Sequence, residues 1–187
     1  MSKSGKLFII SGPSGAGKGT VCEAVLREHP EIALSVSVTT RAPREHETEG
    51  VSYYFVSKEK FLKMIDEGAL LEYSCHFENY YGTPKEPVLQ NLQAGRDVIL
   101  EIDVNGALQV KKNYQDSILI FVLPPDREVL RKRLTDRGTE TLEQIEERLQ
   151  RFDFELSNKQ RYNYTVVNDD LSVAVRQVEE IMEEYHD

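Results

Sequence analysis

Short, uninterrupted apolar runs alternate with amphipathic stretches along this chain. Four runs are too short for a solitary helix yet continuous enough for strands buried on both faces, at residues 7–10, 97–102, 117–123 and 164–167. Apolar residues at helical spacing predict helices between these runs, at residues 18–28, 58–67, 84–93, 104–113, 126–137, from 141 onward and 171–185. Strands that alternate with helices predict an α/β fold, with a parallel sheet and helices on both of its faces.

A different pattern occupies the region between the first two long strands. Short β-type segments predict small strands at residues 34–38, 52–56 and 70–74. The polar stretch 39–50 and the aromatic stretch 77–83 predict loops. Thr83 and Glu86 have the spacing of a capping box, with Pro84 at the first helical position, and Thr141 with Gln144 repeats that spacing.

A glycine-rich segment follows the first predicted strand and leads directly into a helix. Gly12, Gly17 and Lys18 have the spacing of a phosphate-binding loop, in which backbone N–H groups and a lysine ammonium surround phosphate oxygens. The helix N-terminus adds its dipole to the same site. Gly19 stands where Ser or Thr ordinarily follows the lysine, and the hydroxyl comes one residue later, at Thr20. The sequence therefore does not decide whether this loop ligates magnesium directly. The alternative interpretation is a glycine-rich surface turn.

Composition limits the partners and the compartment. The 187 residues suit one compact domain, with no second independent domain expected. The net charge of −9 disfavours binding to nucleic acid or to an anionic membrane, so we expect neither partner. Cys22 and Cys75 form no metal-binding pattern and favour reduced thiols in the cytoplasm. No apolar segment reaches the length of about 20 residues that spans a bilayer, and we expect no export signal.

Motifs beyond the glycine-rich loop give a family resemblance. The pattern T-T-R-x-x-R-x-x-E-x-x-G-x-x-Y-x-F-V at residues 39–56 resembles the signature of guanylate kinases. Further motifs in that family's order are S-G-P-S-G-A-G-K-G-T, N-Y-Y-G-T, E-I-D, L-P-P, R-G-T and V-N-D-D. The resemblance implies a P-loop NTPase core at about 1–34 and 86–187. It also implies a mixed GMP-binding insertion at about 35–85 and a short lid at about 137–148.

The resemblance also implies three sets of site residues. For ATP these are Gly12, Pro13, Ser14, Gly15, Ala16, Gly17, Lys18, Gly19, Thr20 and Asn168. For GMP they are Ser37, Arg41, Arg44, Tyr53, Glu72, Tyr81, Thr83, Glu101 and Asp103. For catalysis they are Lys18, Arg41, Arg44, Arg133, Arg137 and Arg148.

These residue types suit the chemistry that the resemblance implies. Guanidinium forks such as those of Arg41 and Arg44 match a monophosphate dianion. Guanine presents N–H donors beside a carbonyl, so a carboxylate at Glu72 and a hydroxyl at Thr83 would bind it and reject adenine. Asp103 follows a core strand, at the edge where open α/β sheets bind ligands, and Glu101 stands where many family members have Asp. The alternatives are solvated arginines and, for Asn168, a turn at a strand end.

The implied reaction is transfer of a phosphoryl group from ATP, with Mg²⁺, to GMP and to dGMP. Transfer without ATP hydrolysis requires exclusion of water, so we expect the insertion and the lid to close over bound nucleotides. Another nucleoside monophosphate kinase and a non-catalytic guanylate-kinase-like module that binds proteins are the rival interpretations. The sequence leaves open whether the protein is a monomer or a homo-oligomer.

Overall fold

The computed structural model describes residues 4–76, 78–138 and 140–186. In chain order its elements are β1 (Leu7–Ser11), α1 (Lys18–Glu28), β2 (Ala33–Leu34), β3 (Val38–Thr39), β4 (Tyr54–Phe55), α2 (Lys58–Asp66), β5 (Leu70–His76), β6 (Asn79–Pro84), α3 (Lys85–Gln93), β7 (Val98–Glu101), α4 (Val104–Asn113), β8 (Ile118–Leu123), α5 (Arg127–Arg137), α6 (Leu142–Ser157), β9 (Tyr164–Val167) and α7 (Leu171–Glu183). A 3₁₀ turn, Lys159–Arg161, follows α6.

Five parallel strands form the central sheet, in the order β2-β7-β1-β8-β9. All five residues of β1 are buried, because helices cover both faces of the sheet. Phe8 and Ile10 pack with side chains of α1 and α7, whereas Leu7 and Ile9 pack with α3 and α4 on the opposite face. The predicted α/β fold is therefore confirmed. The order of the strands places the carboxyl ends of β1, β7 and β8 side by side.

A second, mixed sheet has the order β4-β3-β6-β5 and lies entirely within residues 38–84. The strand predicted at 34–38 is instead two short strands, because β2 pairs with β7 of the central sheet and β3 pairs with β4 and β6. The loop predicted at 77–83 was wrong for most of its length. Residues 79–84 form β6, which pairs antiparallel with β5 along six registered positions.

The N-termini of α3 and α6 test the two predicted capping boxes, of which one is present. Thr141 accepts from the Gln144 backbone N–H at 3.3 Å and Gln144 Oε1 accepts from the Thr141 N–H at 2.8 Å, so that box is confirmed. The box at Thr83 was wrong. Helix α3 begins at Lys85 with Pro84 at its N-cap, and the Thr83 hydroxyl donates to Glu72 across the sheet.

Among the described residues, every helix is too short or too polar to cross a bilayer.

Candidate functional site

The phosphate-binding loop joins β1, at the middle of the central sheet, to the N-terminus of α1. Gly12 has φ +141°, and a Cβ there would lie 2.1 Å from the Val122 carbonyl oxygen. Gly17 is the N-cap of α1 with φ +88°, and a Cβ there would lie 2.3 Å from Asn168 Nδ2. Both positions require glycine for a positive φ and for close approach to a neighbouring chain segment. The surface-turn alternative does not fit this packing, because the loop lies against β8 and the segment after β9.

Lys18 points back into the loop. Its Nζ donates to the carbonyl oxygens of Gly12 and Pro13 at 2.8 and 3.0 Å. Burial lowers the pKa of Lys18, and the carboxylates of Glu101 and Glu155 oppose that shift. A phosphate group offers better acceptors than two carbonyl oxygens, so the ammonium is placed to exchange these contacts for phosphate oxygens.

Two side chains from the second half of the chain brace the loop. Asn168 is buried, and its Nδ2 donates to the Ala16 carbonyl oxygen at 2.9 Å. Arg133 Nη2 donates to the Asn168 carbonyl oxygen at 2.8 Å, while its Nη1 is buried without a partner among the described residues. The Asn168 amide therefore holds the loop in shape, and its predicted contact with ATP stays a prediction.

The arginines predicted for the lid lie in two different environments. Arg148 Nη1 donates to Ser14 Oγ of the loop at 2.5 Å, and its Nη2 pairs with Glu140 Oε1 at 2.9 Å. The Glu140 side chain is only 8% exposed. Arg137 ends α5, is exposed, and has no hydrogen bond or ion pair within the described parts of the chain. The R-G-T motif includes Thr139, which lies outside the described residues.

The predicted phosphate clamp lies in the segment between β3 and β4. Arg41 forms a bidentate pair with Glu47, at 2.9 Å from Nη1 and 2.8 Å from Nη2. Both side chains are 17% exposed, and the Arg41 guanidinium lies 5.4 Å from the Tyr53 ring centroid. The hydrogen bond from Arg41 lowers the pKa of Glu47 to about 2. The structure therefore fixes the orientation of Arg41 before any ligand binds.

Three further predicted residues surround this pair. The Arg44 backbone N–H donates to Glu47 Oε2 at 2.8 Å, and no ion pair of its guanidinium occurs in the described residues. The Tyr81 ring on β6 packs edge-to-face against the Tyr53 ring, with the two ring centroids 6.1 Å apart. The hydrogen bond to Glu47 raises the pKa of Arg41, and the Tyr81 hydroxyl adds to this shift. The Ser37 carbonyl oxygen accepts from the Tyr54 N–H at 2.9 Å, so the backbone of Ser37 extends the pairing of β3 with β4.

Glu72 and Thr83 face each other on neighbouring strands of the second sheet. They are partners in the register of β5 and β6, and Thr83 Oγ1 donates to Glu72 Oε1 at 2.6 Å. Glu72 is 5% exposed, and burial raises its pKa to about 7. A Cβ on Gly106 would lie 2.5 Å from Glu72 Oε2, so any side chain there would displace this carboxylate. The carboxylate is thus buried against the first turn of α4, with one oxygen bonded to a single hydroxyl.

Asp103 lies beside this pair at the start of α4. It is the N-cap of that helix, and its Oδ1 accepts from the Gly106 N–H at 2.7 Å. Its Oδ2 accepts from Ser74 Oγ at 3.2 Å and lies 2.5 Å from His76 Nε2. The prediction that Asp103 follows a core strand is confirmed, because β7 ends two residues earlier.

Glu101 lies between the two predicted nucleotide sites. Its carboxylate oxygens are 3.6 and 3.7 Å from the place that a Cβ on Gly19 would take. Its charge acts on Lys18 on one side and on Tyr53 on the other. Glu101 is therefore close to members of both predicted sets, Lys18 of the ATP set and Tyr53 of the GMP set.

Four residues that lie in or beside the candidate site were not predicted from the sequence. Glu47 is part of the T-T-R-x-x-R-x-x-E pattern, so the motif already contained the signal for it. Gly106, His76 and Arg151 carry no such signal, since their contacts join segments that are distant in the chain.

Comparison with known proteins gives the same result along nearly the whole chain. The profile of the family described as "Guanylate kinase" matches residues 4–185. The guanylate kinase of Clostridium tetani is 52% identical over 178 residues, which are 95% of this chain and 85% of that protein. The guanylate kinase of Caldanaerobacter subterraneus subsp. tengcongensis is 48% identical over 182 residues, 97% of this chain and 88% of that protein.

A solved structure agrees with the sequence comparisons. The crystal structure of guanylate kinase from Anaplasma phagocytophilum superimposes with a TM-score of 0.81 at 32% identity, covering 98% of this chain and 87% of that one. Profile, relatives and fold thus point to one family. This chain is a member of the guanylate kinase family.

Proposed function

We propose that this chain transfers the terminal phosphoryl group of ATP to the phosphate of GMP, and of dGMP, and releases ADP. The observation that carries the proposal is the buried Glu72–Thr83 pair, which lies near Asp103, a carboxylate whose charge also acts on Lys18. The Glu72 carboxylate can accept hydrogen bonds from two N–H groups of guanine, and the Thr83 hydroxyl can donate to the guanine carbonyl oxygen. Adenine lacks those donors and would leave a buried carboxylate unpaired.

The chemistry needs positioning and charge neutralisation rather than a general base. The attacking oxygen of a phosphate monoester is already ionised near neutral pH. Loop amides, the α1 N-terminus and Lys18 hold the donor phosphates, while Arg41 and Arg44 neutralise the acceptor phosphate. Arg148, which already touches Ser14 of the loop, and Arg133, with its unpartnered Nη1, supply further positive charge at the donor side. Arg137 is exposed at the end of α5 and would join them only when the lid closes.

The residues present fit a divalent cation that is held mainly by ATP. The described residues contain no cluster of three or more protein ligands, and the Gly19 position offers no hydroxyl. Glu101, whose carboxylate faces Gly19 beside Lys18, would hold Mg²⁺ through its water shell. When bound, the cation neutralises charge on the donor phosphates.

Closure is part of the proposal. The insertion at 35–85 carries the acceptor residues other than Glu101 and Asp103, and the lid at 137–148 carries Arg148 and Glu140. We expect both to close over the two nucleotides, because water in the cleft would hydrolyse ATP. The free thiols Cys22 and Cys75 fit a reducing compartment such as the cytoplasm.

A coupled assay of ADP release tests the proposal with GMP, dGMP, AMP, UMP and CMP as acceptors. We expect turnover with GMP and dGMP, little with the others, and loss of at least about a hundredfold in kcat for Lys18→Ala. Lys85→Ala, at the start of α3, is the matched control and should keep wild-type turnover. Preference for AMP would identify another monophosphate kinase, and no ATP consumption with any acceptor would favour a protein-binding module.

A further inference from the structure

His76 connects three separate parts of the molecule beside the acceptor site. It is the last residue of β5, and its side chain is 24% exposed. Its Nε2 lies 2.5 Å from Asp103 Oδ2, at the N-cap of α4. Its Nδ1 lies 3.3 Å from Arg151 Nη1, on α6. One imidazole therefore joins the insertion sheet to the central sheet and to the helix that also carries Arg148.

The two partners of His76 determine which tautomer the ring adopts. A guanidinium has only N–H donors, so the His76 Nδ1 that faces Arg151 must present its lone pair. The proton of a neutral ring then resides on Nε2 and donates to the Asp103 carboxylate. The hydrogen bonds run in one direction, from Arg151 through His76 to Asp103. An imidazolium would place an N–H against Arg151 and break that link.

Other contacts hold the ring and its partners in place. The centroid of the Tyr81 ring, on β6, lies 6.1 Å from that of the His76 ring. Arg151 also pairs with Glu155 at 3.1 Å, which fixes the guanidinium on α6. Burial opposes ionisation of Asp103, but hydrogen bonds from His76 and Gly106 lower its pKa overall.

The consequence of the link appears at Glu72. His76 and Ser74 hold Asp103 Oδ2, and Gly106 holds Oδ1, so both oxygens of the N-cap carboxylate are fixed. Gly106 is also the residue against which Glu72 Oε2 packs. The contact between His76 and Asp103 thus helps to hold β5 against α4, beside the two hydrogen bonds between Tyr73 and Gln109. Glu72 lies on the same strand, four residues before His76.

We propose that His76 is a positioning residue for GMP: its neutral, Nε2-protonated ring ties α6 to Asp103 and so holds Glu72 in register against α4. The inference rests on the proposed function, since it assigns Glu72 and Asp103 to the acceptor site. His76 itself need not touch the substrate.

Steady-state kinetics of four variants test this assignment. His76→Phe keeps an aromatic ring but removes both links, whereas His76→Gln keeps one donor and one acceptor. Arg151→Met removes only the link to α6, and His29→Gln changes a histidine at the end of α1, on a different surface.

We expect His76→Phe to raise the KM for GMP about tenfold, with the KM for ATP within about twofold of wild type. His76→Gln should recover most of the loss, Arg151→Met should show a smaller rise, and His29→Gln should match wild type. A wild-type KM for GMP in His76→Phe, an equal rise in both KM values, or no recovery by Gln overturns the proposal.

A second measurement determines the tautomer of His76 directly in the wild-type protein. Nitrogen NMR of the histidine-labelled protein at about pH 8 separates the two neutral tautomers, and the His76 signals are those missing from His76→Gln. We expect the Nε2-protonated form in wild type and a mixture in Arg151→Met. A ring protonated on Nδ1 in wild type refutes the link. Failure of wild type to use GMP would instead refute the proposed function, and the tautomer would still be measured.

Discussion

The buried carboxylate of Glu72 should weaken the ligand-free fold at neutral pH. Its pKa rises from an ordinary 4.5 to about 7 because burial disfavours the charge. One pKa unit corresponds to about 1.4 kcal/mol, so ionisation of Glu72 costs the folded state about 3 kcal/mol above pH 7. Folded protein binds this proton more tightly than unfolded protein. The cost is therefore absent below about pH 4.5, grows as pH rises, and is complete above about pH 7.

Glu72→Gln removes this cost, because the amide is neutral at every pH and Gln Oε1 still accepts from Thr83. The hydrogen bond from Thr83 is already part of this pKa, so the expected gain is about 3 kcal/mol at about pH 8 and about 1 kcal/mol at about pH 5. Urea unfolding at both pH values measures the difference, with the exposed Glu67→Gln as control. A gain that is equal at both pH values would refute the reasoning, as would a loss of stability at the higher pH.

Three further predictions concern the acceptor site. Raising the pH through about 7 should lower the KM for GMP, because guanine binds the ionised form of Glu72, and Glu72→Gln should lose this dependence and most GMP turnover. Glu47→Gln should raise the KM for GMP about tenfold and leave the KM for ATP unchanged, since Arg41 loses its bidentate partner; a lower KM for GMP would contradict this. Gly106→Ala should also raise the KM for GMP selectively, as its Cβ would meet Glu72 Oε2 at 2.5 Å, and an unchanged KM would show that α4 yields.

Local patterns in the sequence were sufficient for four of the five central strands, β1, β7, β8 and β9. The run from Leu7 to Ile10 is buried on both faces, and such strands have a distinctive apolar signature. The glycine-rich loop was equally clear, because positive φ values and close packing leave glycine as the residue that fits.

The second sheet was harder to predict, partly because two of its four strands are very short. Strands β3 and β4 contain two residues each, too few to show an alternating pattern. Thr83 has the spacing of a helix cap, yet it lies opposite a buried carboxylate, and a tertiary partner outweighed the local one. The link between His76 and Arg151 spans 75 residues, so no local pattern could indicate it.

The placement of β1 has a kinetic consequence. It is bonded to a strand on each side and buried at all five residues, so its amide protons should exchange with solvent only on global unfolding. The two-residue strands that carry the segment with Arg41 should open far more often. The proposed ATP site is therefore rigid, and the proposed GMP site is more mobile. Most of the structural adaptation to substrates should take place on the acceptor side.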